Sequence, residues 1–94
     1  MPAIGVLTLE LRLENSHSLK EKRHVVESLK DRLRNKFNVA VAEIDHHDLW
    51  QRSVVAAVTV SSDRVFAEKV LRSVEKEAAA LLGGELVGAN VEWI

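Results

Sequence analysis

The 94-residue sequence contains no cysteine, which removes disulfides, thiolate metal sites and cysteine nucleophiles together. Aromatic residues are scarce: Phe37, Trp50, Phe66 and Trp93 only. No apolar run approaches the ~20 residues that a membrane span requires. The opening residues, Met1-Pro2-Ala3-Ile4-Gly5, lack the basic leader and cleavage site of a secretory signal, so a cytoplasmic protein without a membrane partner is expected. No sign of charge dominates either. Thirteen Lys and Arg against fourteen Asp and Glu leave a net −1, too little to draw the whole chain toward nucleic acid or membrane. What is present is an ordinary globular balance, 47% hydrophobic and 29% charged, sufficient for one domain over residues 1–94 with one core.

Residues 3 to 14 alternate, with Leu7, Leu9, Leu11 and Leu13 on one side and Thr8, Glu10, Arg12 and Glu14 on the other. A period of two predicts a strand buried on one face. Ser18 followed by Glu21 has the spacing of a capping box and starts a helix near Leu19. Its stripe is Leu19, Val26, Leu29 and Leu33 with Val25 alongside, and Asn35 to Asn38 stops it. Val39 to Asp45 reads as a second strand, His46 to Gln51 as a polar connector, and Ser53 to Val60 as a third strand. Ser62 or Asp63 can cap a second helix with the stripe Phe66, Val70, Val74, Ala78 and Leu81, and Ala67 and Leu71 beside them. Gly83-Gly84 ends it. Glu85 to Ile94 is a fourth strand, with Val87, Ala89, Val91 and Trp93 on one face. The order β-α-β-β-α-β, joined by right-handed crossovers, predicts a ferredoxin-like α+β fold: a four-stranded antiparallel sheet with both helices on one face.

That arrangement leaves the second sheet face without helices. With the leucines of the first strand inward, Ile4, Val6 and Thr8 point outward, and the third strand is read as offering Val55, Ala57 and Thr59. In the second strand either Val39 and Val41 or Ala40, Ala42 and Ile44 face out. A patch this apolar exceeds what a monomer normally exposes, so a homodimer through the open face is expected.

Charge is uneven along the chain. Residues 19 to 36 carry seven basic and three acidic side chains, a net +4. The expected partner-binding residues are therefore Lys20, Lys22, Arg23, Lys30 and Arg34, with Trp50 as an apolar anchor in a polar connector. Base stacking on the sheet, as in RNA-recognition modules, needs aromatic residues in the first and third strands; there are none. Contact with nucleic acid would have to run through the basic helix and the phosphate backbone. The loop Glu14-Asn15-Ser16-His17-Ser18 has neither the glycine nor the arginine of a phosphate cradle. The metal-type side chains Glu43, Asp45, His46, His47 and Asp48 suit zinc or nickel in kind, but they sit at a hairpin end without helical ligand spacing. No catalytic set, cofactor or metal is expected. A small-ligand sensor with a site at the dimer interface, and a metal-dependent hydrolase on Glu43, Asp45, His46 and His47, stand as alternatives to a non-enzymatic interaction module.

Several segments together resemble the YlxP-like family of small bacterial proteins. They are Ser18-Leu19-Lys20-Glu21-Lys22-Arg23, Phe37-Asn38-Val39 leading to Ala42-Glu43, and Trp50-Gln51-Arg52. The resemblance spans nearly the whole chain and implies a single ferredoxin-like domain. Genes of that family commonly neighbour those for transcription termination, translation initiation and ribosome maturation. This implies an accessory role with RNA or the ribosome, and the resemblance supplies no catalytic residue set to carry over.

Overall fold

The structure, a computed structural model, describes residues 1–94. The leucine alternation becomes β1 (Ala3–Arg12), a central strand. It pairs antiparallel with β3 (Arg52–Ser61) on one side and β4 (Leu86–Trp93) on the other. The short strand β2 (Ala40–Asp45) pairs antiparallel with β3, giving the spatial order β2-β3-β1-β4. Helices α1 (Leu19–Lys36) and α2 (Arg64–Leu82) complete the β-α-β-β-α-β order of the ferredoxin-like fold.

Local chemistry sets the helix ends. The Ser18 hydroxyl accepts from the Glu21 N–H at 3.1 Å, and the Glu21 carboxylate accepts from the His17 N–H at 2.6 Å. This is a capping box whose return bond falls one residue early. Asp63 caps α2 by accepting from the Val65 N–H at 3.0 Å. Gly83 ends α2 with φ +57°, a left-handed conformation that glycine adopts without a Cβ clash, and a 3-10 turn (Gly83–Glu85) leads into β4.

The core lies between the helices and one sheet face. Leu7, Leu9 and Leu11 of β1 meet Val26, Leu29 and Leu33 of α1 and Leu71, Val74 and Ala78 of α2, all buried. Leu13 extends this face beyond the end of β1.

The pairing register corrects one assignment. Leu9 stands opposite Val55 and Leu7 opposite Ala57, so Val55, Ala57 and Thr59 face the helices with the leucines and are buried. The open face instead carries Val54, Ala56, Val58 and Val60, beside Ile4, Val6 and Thr8. Both faces of β3 are apolar, and only its partner strand decides which is covered. The same register puts Ala40 and Ala42 of β2 on the open face, opposite Val58 and Ala56. In α2 the buried stripe is Ala67, Leu71, Val74, Ala78 and Leu82, whereas Phe66 and Leu81 are exposed. In β4 an irregularity between Glu10 and Leu11 sets Gly88 and Leu86 on consecutive partners. Val87 is the extra residue and is exposed.

Gly5 occupies the tightest approach in this core. A Cβ there would lie 2.7 Å from a Leu71 methyl and 2.8 Å from the Trp93 ring, and Leu71 is itself buried and unable to swing away. Gly5→Ala is expected to destabilise the protein by about 1–3 kcal/mol through overpacking, as read by urea denaturation.

Candidate functional site

The most constrained group in the molecule is Lys22. Positions 22, 26, 29 and 33 recur at helical spacing and share one face of α1, so Lys22 enters the core with Val26, Leu29 and Leu33, completely buried. Its ammonium has three donors, and all three are used. They reach Glu43 Oε2 at 2.9 Å, the His46 carbonyl at 2.7 Å and the His47 carbonyl at 3.1 Å. Glu43 Oε2 also accepts from the buried Ser53 hydroxyl at 2.6 Å, and His47 Nε2 lies 3.2 Å from the Glu43 carbonyl. No buried side-chain nitrogen or oxygen lacks a partner. Burial alone would raise the Glu43 carboxyl. The Ser53 hydroxyl and the Lys22 ammonium outweigh it and hold the group below its ordinary value of 4.5.

This geometry overturns the assignment of Lys22 to a partner-binding surface. Its charge is enclosed and matched inside the fold, and it binds the β2–β3 connection rather than an external ligand. The connection is correspondingly well tied. His46 takes the left-handed conformation, φ +62°, and its carbonyl also accepts from the Leu49 N–H at 3.1 Å. Gln51 donates through its side chain to the Glu14 and Ser16 carbonyls at 3.2 and 3.3 Å, and its own carbonyl accepts from the Leu13 N–H at 2.8 Å. Two loops, 13–18 and 46–51, are thus stitched together at the N-terminal end of α1. Trp50 stands 54% exposed on that support.

The remaining basic residues divide by direction. Arg32 and Lys36 pair with Glu77 of α2 at 2.9 and 2.7 Å and tie the helices together; with Lys36 the stronger partner, they lower the Glu77 carboxyl. Lys30 pairs with Glu27 and Arg34 with Asp31, both one turn away on α1. Lys20 and Arg23 are exposed and make no ion pair. The net +4 of the segment is therefore largely matched within the fold. Its free part is Lys20 and Arg23, with Lys30 and Arg34 in weak surface pairs.

The metal-type residues do not converge. Glu43 turns inward to Lys22, His46 Nδ1 lies 3.7 Å from an Asp45 oxygen, and nowhere do three His, Asp or Glu side chains gather as metal ligands. A groove of about 490 Å³ runs between the loop after β1, the first turns of α1 and the start of β4. Leu13, Ser16, Lys20, Glu21, His24 and Glu85 line it. Its carboxylates and cations are mixed, without a nucleophile held by a base.

The architecture shares its fold with proteins of very different sequence. A de novo designed protein, Foldit4, superposes with a TM-score of 0.60 at 12% identity, covering 100% of this chain and 97% of its own. A Caulobacter crescentus CB15 protein assigned as an antibiotic biosynthesis monooxygenase gives a TM-score of 0.54 at 14% identity, with 98% and 87% covered. These likenesses define a ferredoxin-like α+β domain and nothing of its chemistry. Sequence is more specific. Residues 4–91 match the family described as "Protein of unknown function (DUF503)", and the chain belongs to that family. It is similar to the uncharacterized protein YlxP of Bacillus subtilis (strain 168), 44% identical over 71 residues, or 76% of this chain and 77% of the relative.

Lys22→Met removes the donor shared by a carboxylate and two carbonyls, and a cost of about 3 kcal/mol is expected in urea denaturation. Adding Glu43→Gln to that variant should cost less than Glu43→Gln costs the parent, since the two groups act as a pair. The pair also predicts a pH dependence. The folded Glu43 carboxyl titrates below the unfolded one, so its contribution is complete at neutral pH. It declines as pH falls below 4.5 and is gone under the folded value. The stability difference between parent and Glu43→Gln, followed by denaturation from pH 7 to pH 3, should be flat and then shrink over that acid limb.

Proposed function

We propose that the protein is a non-enzymatic interaction module. It buries its open sheet face against a second copy and docks an anionic surface, as of a ribosomal particle, on the outer side of α1. The observation that carries the reading is the division of the molecule into two unlike surfaces. One is the open face, where Ile4, Val6, Val54, Val58 and Val60 are incompletely buried with Ala40 and Ala42 beside them. Charge enters there as the Glu10–Arg52 pair at 3.2 Å with Arg12 beside it, as Asp45 opposite Val54 at the end of β2, and as Glu92 of the edge strand β4, opposite Val6. At strand spacing, four strands of up to ten residues present roughly 600 Å², close to one partner's share of a small standard interface. A second copy supplies an equally flat apolar surface and leaves both α1 helices outside.

The other surface is the outer side of α1, where Lys20, Arg23, Lys30 and Arg34 recur at three-, seven- and four-residue intervals and project together. Membership of a family with YlxP, and the gene neighbourhood of YlxP-like proteins, favour a ribosomal or RNA partner over a soluble metabolite. The cytoplasm follows as the site of action.

Two measurements test this. Sedimentation of the parent should report twice the 10.5 kDa chain mass, and Val58→Glu should report a monomer of unchanged fold. Co-sedimentation with ribosomal particles from the source lysate should fall as salt rises, and the Lys20→Ala, Arg23→Ala double variant should lose it. Lys22 is excluded from that variant because its replacement would disturb folding. A parent that stays in the supernatant at every salt contradicts the ribosomal part, and a monomeric parent contradicts the dimer.

A further inference from the structure

We propose that the free edge of β2 and the adjoining flank of α1 form one docking groove for an extended acidic segment of a partner protein. The segment adds to β2 as a fifth strand and sets its carboxylates against Arg23, Lys30 and Arg34. The inference rests on the interaction-module reading and names the class of its partner.

The first observation is the edge itself. β2 is an outermost strand, so one row of its backbone N–H and C=O groups has no partner strand. Natural edges are normally blunted by lysine, proline, inward charge or a covering element. Ala40-Val41-Ala42-Glu43-Ile44-Asp45 contains neither lysine nor proline, and its one irregularity falls at the end, between Glu43 and Asp45, leaving Ala40 to Glu43 in regular pairing. Its one inward charge, Glu43, is neutralised by Lys22 from within. Ala40, Ala42 and Ile44 are exposed. A strand so left is a template for β-addition.

The second observation is what overlooks that edge. Lys22 points from α1 to Glu43 and so marks the side of the helix that faces the sheet. Arg32 and Lys36 point to Glu77 and mark the side that faces α2. A 100° step per residue then sets positions 23, 30 and 34 on the flank opposite α2, along the β2 edge. From residue 23 to residue 34 the helix rises about 17 Å, matched by the roughly 20 Å length of a six-residue strand. The recognition groups therefore run in parallel: backbone below, guanidinium and ammonium above.

Within the ribosomal or RNA class of partner, charge on this flank favours the carboxylates of a protein component over nucleic-acid phosphate. Glu27 and Asp31 lie among the cations at 3.2 and 2.8 Å from Lys30 and Arg34 and weaken the long-range field that a polyanion needs. Ion pairs one turn apart at a helix surface are weak, so Lys30 and Arg34 can exchange these carboxylates for incoming ones at short range. The backbone edge offers RNA nothing, while an extended peptide satisfies it.

The probe is a fluorescein-labelled peptide of about ten residues, long enough for one strand, alternating valine and glutamate. Its anisotropy is followed against the full chain. Saturable binding is expected. Backbone N-methylation of alternate residues should weaken it at least about tenfold in one of the two frames, and so should Arg23→Glu with Arg34→Glu. A valine–lysine peptide should not bind. Absence of saturable binding by the acidic peptide overturns the proposal. So does equal binding by both N-methylated frames, which would mean attraction by charge alone. Tighter binding of a single-stranded RNA of similar length, lost in the same charge-reversal variant, also overturns it while leaving the interaction-module reading standing. That reading fails separately, if the parent is monomeric and remains free of ribosomal particles.

Discussion

The arrangement depends on one buried ammonium. Lys22 enters the core on the apolar stripe of α1, where a bare charge would cost several kcal/mol. The cost is offset because each of its three donors meets a fixed acceptor, on Glu43, His46 and His47. In satisfying Lys22 the fold also fixes three other things: the depth at which α1 rests on the sheet, the path of the chain between β2 and β3, and the side to which Glu43 turns. Ser53 completes the set from β3. A helix and a hairpin distant in sequence are thereby joined by a polar contact that admits little displacement. Replacing it with apolar residues could preserve stability but would no longer specify this hairpin geometry.

The consequences reach the surface. With Glu43 neutralised from inside, β2 presents an edge of small apolar residues instead of an inward-pointing charge. With Arg32 and Lys36 drawn to α2 by Glu77, the other cations of α1 fall on its solvent side and its β2 flank. A segment with a net +4 thus resolves into three sets with different tasks: one cation inside the fold, two bridging helices, and four turned outward. Only the last set is available to a partner, and it adjoins the one sheet edge that α1 overlooks. The open apolar face lies on the opposite side, so the proposed second copy there and the proposed partner strand at β2 do not compete.

Much of this was legible in the chain. The leucine alternation of β1, the Ser18–Glu21 box and the Gly83-Gly84 stop specify element order through short-range stereochemistry, and the ferredoxin-like topology follows. Two features were not legible, for physical reasons. The strand Ser53 to Val60 is apolar on both faces, so its orientation is set by pairing Val55 with Leu9, a long-range fact. Lys22 counts as one more surface cation in any tally of charge. Its signal lay in periodicity: it precedes Val26 by four residues and Leu29 by seven, and so belongs to the buried stripe. Its partner Glu43 looks like a metal or acid–base candidate in the sequence because nothing local in β2 shows that a carboxylate will face α1. Gln51 stands out in the sequence only through the family resemblance, and its task is structural: its amide ties together two loops separated by more than thirty residues.

The most direct test is the state of the Lys22 ammonium in solution. Proton–nitrogen correlation spectra of the lysine side chains at neutral pH should show one slowly exchanging Nζ resonance, assigned to Lys22 through its loss in Lys22→Met. It should retain cross-relaxation to protons of Ser53 and the 46–47 segment while the other lysines exchange with water. A Lys22 resonance exchanging as fast as Lys20, without those contacts, would contradict the account.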